Sequence, residues 1–433
     1  MRILLIAGLS NSEIRKHLTF TKDRKLYHEL IKLFHLPERV GEFRDTTPWV
    51  ESIIRDLIKR DGIELHLMAP HIRLKKAIEE FEMNGVTYHY YRSEWTSLLR
   101  KLNNYKLWKR LQRTGYYTKK ILKSVNPDII VLSGTENPVT SVSFFSSANY
   151  PFYCLCQTIY NNPERFKYSK PNKLILDLEQ DIVSKLQYFG VYCKMHYEVL
   201  KQMRSDVDVF KFGYPTTGVL LEPTKTEKIY DFVNFAMNLD LRKGAHDSVK
   251  AIAIVKQKYP NVTLNLVGGC DPKSRTELDV LIEDLGLKDN VIFTPFFEKR
   301  KDVLLHIQKS RFAVLPCKLD HTSGTMTQSM QLRLPLVVYK TTGTPAFNRD
   351  KECVLIAEKG NVEELAQHML TLLEQPEKAE QLAKNAREYQ EMRVEYNKDN
   401  GDRLIANFKV IIENYHYGTT IPQNQLFNPE TDD

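Results

Sequence analysis

The stretch FAVLPCKLDHTSGTMTQSMQLRLPLVV, residues 312–338, decides how this chain folds. Its apolar start, Phe312 to Leu315, is typical of a buried strand, and the Ser/Gly/Thr loop after it leads into a short helix that ends near Leu332. A second strand follows at Leu336 to Val338. A loop that enters a helix in this way points several backbone N–H groups in one direction, where the helix dipole also favours an anion. The pattern therefore predicts an anion site, with an ordinary helix N-cap as the alternative.

Strands and helices alternate on both sides of this stretch. The apolar runs 2–7, 129–132 and 151–156 predict buried parallel strands of one sheet, and 232–236 and 261–267 predict strands of a second. Between them, residues 210–225 are rich in Gly, Pro and Thr and lose the periodicity, so we place a linker within about 215–228. The sequence therefore predicts an α/β protein with two doubly wound, Rossmann-like domains that face each other across a cleft. The predicted domains are residues 1–215 and 229–400.

Length and composition agree with a two-domain globular protein. The 433 residues are 42% hydrophobic and 27% charged, and they are enough for two sizeable cores. The six cysteines lie mostly in apolar runs, and no second Cys or His pair completes a zinc set with Cys154 and Cys156. The N-terminal residues lack a signal-peptide pattern, and no run of about 18 apolar residues could span a membrane. We expect reduced thiols, no resident metal and a cytoplasmic location.

A family resemblance rests on the order of strand, Pro316, acidic residue, loop, helix and Pro335-Leu-Val-Val. This order resembles the nucleotide-sugar site of retaining glycosyltransferases with the GT-B architecture, of the family-4 type (glycosyltransferase group 1). The resemblance covers residues 232–390 or so and is thin in the first domain. It implies that a C-terminal helix, residues 401–417, returns to the N-terminal domain, which would hold the acceptor.

The resemblance also implies which residues hold the donor. The family's acidic residue falls on Asp320, and the glutamate eight positions later falls on Gln328, which keeps hydrogen bonding but has no charge. Lys243, in Lys-Gly, would offset the charge of the departing diphosphate, and Arg242 would replace a family arginine whose position is taken by Met237. Lys243, Asp320 and Gln328 are the predicted catalytic residues. The predicted donor-binding set is Arg242, Lys243, Gly268, Gly269, Phe297, Asp320, His321, Ser323, Gly324, Thr325 and Gln328.

The acceptor side is predicted from loops that follow strands of the first sheet, since open parallel sheets bind ligands beyond the carboxyl ends of their strands. The predicted residues are Gly8, Ser10, Asn11, Thr135, Glu136 and Gln157. For the loop after the first strand, a turn without a binding role is the alternative. Gln157 stands where many relatives carry a histidine, so acid–base chemistry from this position is excluded.

Trp95 to Lys123 is strongly basic. It holds nine Lys or Arg and no Asp or Glu, while the whole chain has a net charge of only +8. Apolar residues interleave at roughly helical spacing, so the segment predicts either a surface for anionic lipid headgroups on the inner face of the membrane or a solvated helix whose apolar side is core. No recognition module accompanies the charge, so we predict no nucleic-acid partner.

Together with these patterns, the resemblance implies a retaining, metal-independent hexosyltransferase without a cofactor. It would move a sugar from a nucleotide-diphosphate sugar to a glycan or lipid-linked glycan acceptor in cell-surface polysaccharide synthesis. Two alternatives share the predicted architecture. One is a nucleotide-sugar epimerase, against which the absence of a histidine at Gln157 and of a glutamate at Gln328 argues. The other is a binding subunit that has kept the fold and lost catalysis.

Overall fold

The computed structural model describes residues 1–21, 46–93, 105–168, 172–213, 220–294, 297, 299–319 and 322–430. The chain divides into two compact units. The first comprises Met1–Asn162, Pro171–Thr217 and Asn397–Asp433, and the second comprises Pro163–Lys170 and Gly218–Tyr396.

The first unit is built on an eight-stranded sheet of order β3-β4-β2-β1-β5-β6-β7-β8. Neighbouring strands pair in parallel, except that β3 pairs antiparallel with β4. The strands are β1 (Arg2–Ile6), β2 (Glu64–His71), β3 (Ile78–Met83), β4 (Val86–Arg92), β5 (Ile129–Ser133), β6 (Phe152–Leu155), β7 (Tyr188–Val191) and β8 (Asp208–Lys211).

The second unit is built on a six-stranded parallel sheet of order β11-β10-β9-β12-β13-β14. Its strands are β9 (Tyr230–Asn238), β10 (Leu264–Gly269), β11 (Val291–Thr294), β12 (Ser310–Leu315), β13 (Leu336–Tyr339) and β14 (Leu355–Ala357). The strand predicted at Phe312 to Leu315 is β12, at the centre of this sheet next to β9. The predicted fold class of two doubly wound parallel sheets is confirmed.

The helices are numbered along the whole chain. They are α1 (Ser12–Lys16), α2 (Pro48–Ile58), α3 (Tyr105–Leu111), α4 (Thr114–Val125), α5 (Pro138–Ser141), α6 (Pro163–Phe166), α7 (Lys173–Val183), α8 (Lys194–Met203), α9 (Ala245–Lys256), α10 (Pro272–Asp284), α11 (Arg300–Ile307), α12 (Gly324–Gln331), α13 (Val362–Glu374), α14 (Pro376–Tyr396) and α15 (Asn400–Tyr417). Helices α1 to α5, α7, α8 and α15 belong to the first unit and the others to the second.

Both faces of the first sheet are buried, as the continuous apolar strands predict. In β1, Ile3 and Leu5 belong to the core on one face, and Leu4 and Ile6 belong to the core on the other. All four side chains are fully buried. Helix α15 packs on the first of these cores through Leu404, Phe408 and Ile411, and the Arg60 guanidinium binds the Asp402 carboxylate at 2.9 Å.

The antiparallel pair β3–β4 was not predicted, although its turn carries a sequence signal. Asn84 and Gly85 join the strands with φ values of +51° and +75°. Positive φ at two successive turn residues is the conformation of the tight hairpin turn that Asn-Gly favours. The Asn-Gly pair between two alternating runs would have identified this hairpin.

Candidate functional site

One aspartate shapes the loop after β9. Asp240 Oδ1 accepts hydrogen bonds from the backbone amides of Arg242 (3.0 Å) and Lys243 (3.1 Å), within a 3-10 turn at Leu241–Lys243. Asp240 Oδ2 accepts two more from the Arg242 guanidinium, at 2.5 and 3.0 Å. The Arg242 side chain is therefore engaged within its own loop. The backbone of Lys243 is held at the carboxyl end of β9, where parallel sheets place their ligand sites.

The loops after β9 and β12 are in direct contact. Gly244 has φ +71°, and a Cβ built on it would lie 2.1 Å from the carbonyl oxygen of Pro316. The backbone amide of Lys318 donates a hydrogen bond of 2.9 Å to the carbonyl of Arg242. Both the approach and the backbone conformation require glycine at position 244. Lys243 lies between these two contacts and thus beside the loop that leads into α12.

Ser323 is the N-cap of helix α12, which is the alternative to an anion site, and the anion site stays a prediction. The Ser323 hydroxyl oxygen accepts from the amide of Met326 at 3.4 Å and lies 2.8 Å from the Thr325 hydroxyl oxygen. The first-turn amides of a helix have no intrahelical carbonyl to bind, so Gly324 and Thr325 are suited to an anion. Gln328 is half-buried one turn further along. Asp320 and His321 lie outside the described residues.

Gly268 and Gly269 end β10 and bring its backbone close to β9. Gly268 has φ +140°, and a Cβ on it would lie 1.9 Å from the carbonyl oxygen of Ala236. The amide of Leu239 donates to the Gly269 carbonyl at 2.7 Å. Burial raises the pKa of the neighbouring Cys270 thiol to about 11, so this thiol is uncharged at neutral pH. The two glycines join the loops after β9 and β10, and their predicted contact with a donor stays a prediction.

Phe297 packs inside the second unit. Its ring centroid lies 5.2 Å from that of His306, and the side chain joins the apolar cluster around β12 and β13. His306 Nε2 lies 2.8 Å from Asn265 Nδ2 and 3.1 Å from the Thr294 hydroxyl oxygen, and burial lowers its pKa. These contacts are those of a core side chain, and the predicted role of Phe297 in donor binding stays a prediction.

A buried charged cluster connects helix α9 to the ends of two strands at the same edge of the sheet. Asp247, in the first turn of α9, receives the Lys318 ammonium at 2.8 Å and the Tyr339 hydroxyl at 2.9 Å on one carboxylate oxygen. The sequence analysis singled out none of the three residues. A lysine directly after a buried strand and an aspartate inside the first turn of an apolar helix are weak local signals, since each is also common at a surface.

In the first unit, the predicted loop after β1 serves its own fold. The carbonyl of Gly8 accepts from the Thr46 hydroxyl at 2.7 Å, and the Ser10 hydroxyl accepts from the Arg15 guanidinium at 3.1 Å. Asn11 Oδ1 caps α1 by accepting from the amide of Ile14 at 2.8 Å, while Asn11 Nδ2 donates to a Glu51 carboxylate oxygen at 2.6 Å. These contacts account for Asn11 as a capping residue, which is the alternative that assigns the loop no binding role.

Thr135 belongs to a network around Glu179, a residue that the sequence analysis missed. The Glu179 carboxylate is buried on α7 and accepts from the Thr135 hydroxyl at 2.5 Å. It also accepts from the amides of Tyr160 and Asn161 at 3.0 and 2.6 Å and from Asn161 Nδ2 at 2.8 Å. A buried carboxylate needs such donors, so Glu179 fixes the loops after β5 and β6.

Glu136 and Gln157 lie in these two loops. Gly134 has φ +75°, and a Cβ on it would lie 2.0 Å from Glu136 Oε2, so glycine makes room for this carboxylate. The backbone carbonyl of Gln157 accepts from the Tyr192 hydroxyl at 3.3 Å. Gln157 Nε2 is buried and has no hydrogen-bond partner among the described residues. The structure thus brings Thr135 and Glu136 to the carboxyl end of β5 and Gln157 to that of β6.

The basic segment forms α3 and α4 in its described part, residues 105–123. Trp108 is fully buried and belongs to the folded interior. Lys109 lies at the rim of this interior, where its ammonium pairs with the Asp181 carboxylate at 2.6 Å. The remaining cationic side chains are exposed: Lys106, Arg110, Arg113, Lys119, Lys120 and Lys123. Leu107 and Tyr116 are exposed beside them, at 41% and 67%. The apolar side of this segment is therefore core, and contact of its exposed basic side with anionic lipid stays a prediction.

Among the described residues, no helix is both long and apolar enough to cross a membrane. Within the ranges that the structure describes, no group of three or more His, Cys, Asp or Glu side chains could hold a metal ion.

The sequence of the second unit matches a known family. Residues 222–389 match the model of the family described as glycosyl transferases group 1, which confirms the predicted resemblance. An uncharacterized glycosyltransferase of Haemophilus influenzae is 25% identical over 146 residues, or 34% of this chain and 40% of that protein. The alpha-D-kanosaminyltransferase of Streptomyces kanamyceticus is 26% identical over 144 residues, or 33% and 36%. The chain spans less than half the length of each of these relatives.

Solved structures resemble most of the chain. Sucrose-phosphate synthase from Thermosynechococcus elongatus superposes with a TM-score of 0.67 over 94% of this chain and 98% of that one, at 14% identity. Anabaena HepE in complex with UDP and glucose superposes with a TM-score of 0.62 over 94% and 99%, at 15% identity. At these identities the similarity shows the fold alone, and it confirms the predicted GT-B class with two Rossmann-like domains.

Proposed function

We propose, from the group 1 glycosyl transferase domain at residues 222–389, that this chain is a glycosyltransferase. It moves a hexose-type sugar from a nucleotide-diphosphate sugar to a glycan or lipid-linked glycan acceptor in cell-surface polysaccharide synthesis. The observation that carries the proposal is the contact between the Lys243 loop and the loop leading into α12. This contact brings a cation and the start of a helix to one edge of the sheet, which suits a diphosphate leaving group.

The residues of the proposed site bind different parts of the donor. The Lys243 ammonium and the first-turn amides of α12 offset the negative charge that grows on the diphosphate as the bond to the sugar breaks. Asp320 orients the hydroxyls of the sugar and Gln328 hydrogen-bonds the ribose. Since cations and amides neutralise the phosphates, the proposed reaction needs no metal ion.

Retention of the anomeric configuration belongs to the same proposal, and no protein nucleophile is assigned. A solved trehalose-6-phosphate synthase, described as carrying out glycosyltransfer with retention, superposes on this chain with a TM-score of 0.66 at 12% identity. Another structural neighbour, HepE, was solved with UDP-glucose. These neighbours support a nucleotide sugar as the donor class.

A panel of UDP-, GDP- and ADP-sugars tests the proposal. Purified protein is incubated with each sugar, with and without glycan acceptors, and nucleotide release is measured in buffer with and without EDTA. Release that needs an acceptor and survives EDTA is the expected result. Appearance of an altered free nucleotide sugar would instead indicate an epimerase, and binding without turnover would indicate a non-catalytic subunit.

We also propose that the exposed basic face of α3 and α4 holds the protein on anionic lipid at the cytoplasmic side of a membrane. Each Lys or Arg close to an anionic surface contributes about 1 kcal/mol. Replacing Lys119, Lys120 and Lys123 together with glutamine is therefore expected to weaken binding to phosphatidylserine vesicles by about a hundredfold. Vesicle pelleting at low and high salt measures this.

The matched control removes three exposed lysines of the second unit, Lys288, Lys301 and Lys384. Both triple variants lower the net charge equally. Equal loss of vesicle binding in the two variants would show that total charge, rather than this face, drives the association. Undiminished binding of the first variant would contradict the membrane proposal.

A further inference from the structure

Asp247 holds together three separate parts of the second unit. It lies on α9, while its partners Lys318 and Tyr339 follow β12 and end β13. The Asp247 and Lys318 side chains are only 6% and 14% exposed, and Tyr339 is fully buried. The carboxylate therefore joins one helix to the ends of two neighbouring strands.

Such a cluster is a poor device for stability alone. Two charges that are taken out of water lose the free energy of their hydration, and their mutual attraction barely offsets that loss. A buried ion pair therefore adds little stability over apolar side chains of similar size. Geometry is what a buried pair specifies, because each partner has one low-energy position. The sheet already has apolar cores on both faces, which stabilise it. The cluster therefore serves to fix the orientation of the backbone at this edge.

Lys318 is fixed at two points. Its ammonium binds Asp247 at 2.8 Å, and its amide donates to the Arg242 carbonyl, one residue before Lys243. The same loop continues to Ser323, the N-cap of α12. Lys318 thus connects the backbone that carries Lys243 to the segment that leads to the first-turn amides of α12.

We infer that Asp247, Lys318 and Tyr339 are positioning residues that hold the Lys243 loop and the start of α12 in one orientation toward a nucleoside diphosphate. The inference rests on the proposed function and deepens it. The three residues act through Lys243 and the amides, and they are assigned no contact with the donor.

The test removes both charges together, because a single substitution would leave one buried charge unpaired and endanger folding. In the Asp247→Asn, Lys318→Met double variant, the amide oxygen of the new side chain can still accept from the Tyr339 hydroxyl. Misplacement of reacting groups is costly, so kcat for acceptor-dependent nucleotide release is expected to fall by roughly tenfold to a hundredfold. Tyr339→Phe keeps both charges, and a smaller fall in kcat, of several-fold, is expected there.

The control is an ion pair at the opposite edge of the same sheet. Arg311 and Asp231, near the starts of β12 and β9, pair at 2.9 Å. The Asp231→Asn, Arg311→Met variant should keep the wild-type kcat. Thermal unfolding of all variants separates a loss of stability from a loss of positioning. The inference is overturned if the Asp247→Asn, Lys318→Met variant folds like the wild type and has a kcat within about twofold of this control. If that variant does not fold, the inference is overturned when Tyr339→Phe keeps the wild-type kcat.

Failure of the proposed function gives a different result. If the wild-type protein releases nucleotide from none of the UDP-, GDP- and ADP-sugars, the proposed function fails and this inference falls with it. If the wild type turns over and Lys243→Ala does not, while the double variant keeps its rate, the proposed function stands and the positioning role alone is wrong.

Discussion

Replacing Lys243 with alanine is expected to lower kcat for sugar transfer by about a hundredfold to a thousandfold, the usual cost of one group that stabilises developing charge. The backbone of Lys243 is fixed by Asp240 on one side and by Gly244 on the other. Truncation of the side chain therefore removes the ammonium without releasing the loop. Steady-state rates of nucleotide release measure the effect, with thermal unfolding as the check on folding.

Two neighbouring lysine and arginine variants sharpen this test. Lys250→Ala, at an exposed position on α9, should leave kcat unchanged. Arg242→Ala should act mainly on stability, because its guanidinium is bound to Asp240 in the same turn. Unchanged turnover of Lys243→Ala would remove Lys243 from the site, and an equal loss in Arg242→Ala would assign the two residues a shared role.

The parts of the fold that the sequence predicted are those with a local pattern. β12 and α12 follow from an apolar run and from a Ser-Gly-Thr helix start. β1 follows from a run that is apolar at every position because both faces of the sheet are covered. In each case, the information lies within about ten adjacent residues.

Long-range pairings left no such pattern. Asp247 and Lys318 are far apart in the chain and meet only because β9 and β12 are neighbours in the sheet. Glu179 likewise reaches loops that the sequence places well before it. The pairing of Arg242 with Asp240 is local, yet nothing in the residue types distinguishes an arginine that binds its own turn from one that binds a ligand.

The candidate site was predicted in the same uneven way. The resemblance located Lys243 and Ser323 from their neighbours in sequence, and the structure shows how their loops meet. It did not indicate that Gly244 is the residue through which they meet, since a glycine after lysine is equally consistent with an ordinary turn. The contact partner, Pro316, lies directly after another strand, β12.

Replacing Gly244 with alanine is therefore expected to disrupt the site. A left-handed conformation costs a residue with a Cβ about 1 kcal/mol, and Gly244 has φ +71°. The added methyl group would in addition lie 2.1 Å from the Pro316 carbonyl oxygen, which is backbone and cannot rotate away. Forced separation of the two loops should cost about 3 kcal/mol more and should reduce kcat along with stability. Urea unfolding and nucleotide release measure both.

Gly286 provides the matched control for this substitution. Its φ of +62° is close to that of Gly244, but nothing lies within 4 Å of a Cβ built there. Gly286→Ala should therefore carry the conformational cost of about 1 kcal/mol alone and keep its activity. The difference between the two variants isolates the contact between the loops after β9 and β12. If Gly244→Ala is no less stable and no less active than Gly286→Ala, those loops are not in contact in solution, and the assignment of Lys243 and α12 to one diphosphate site loses its basis.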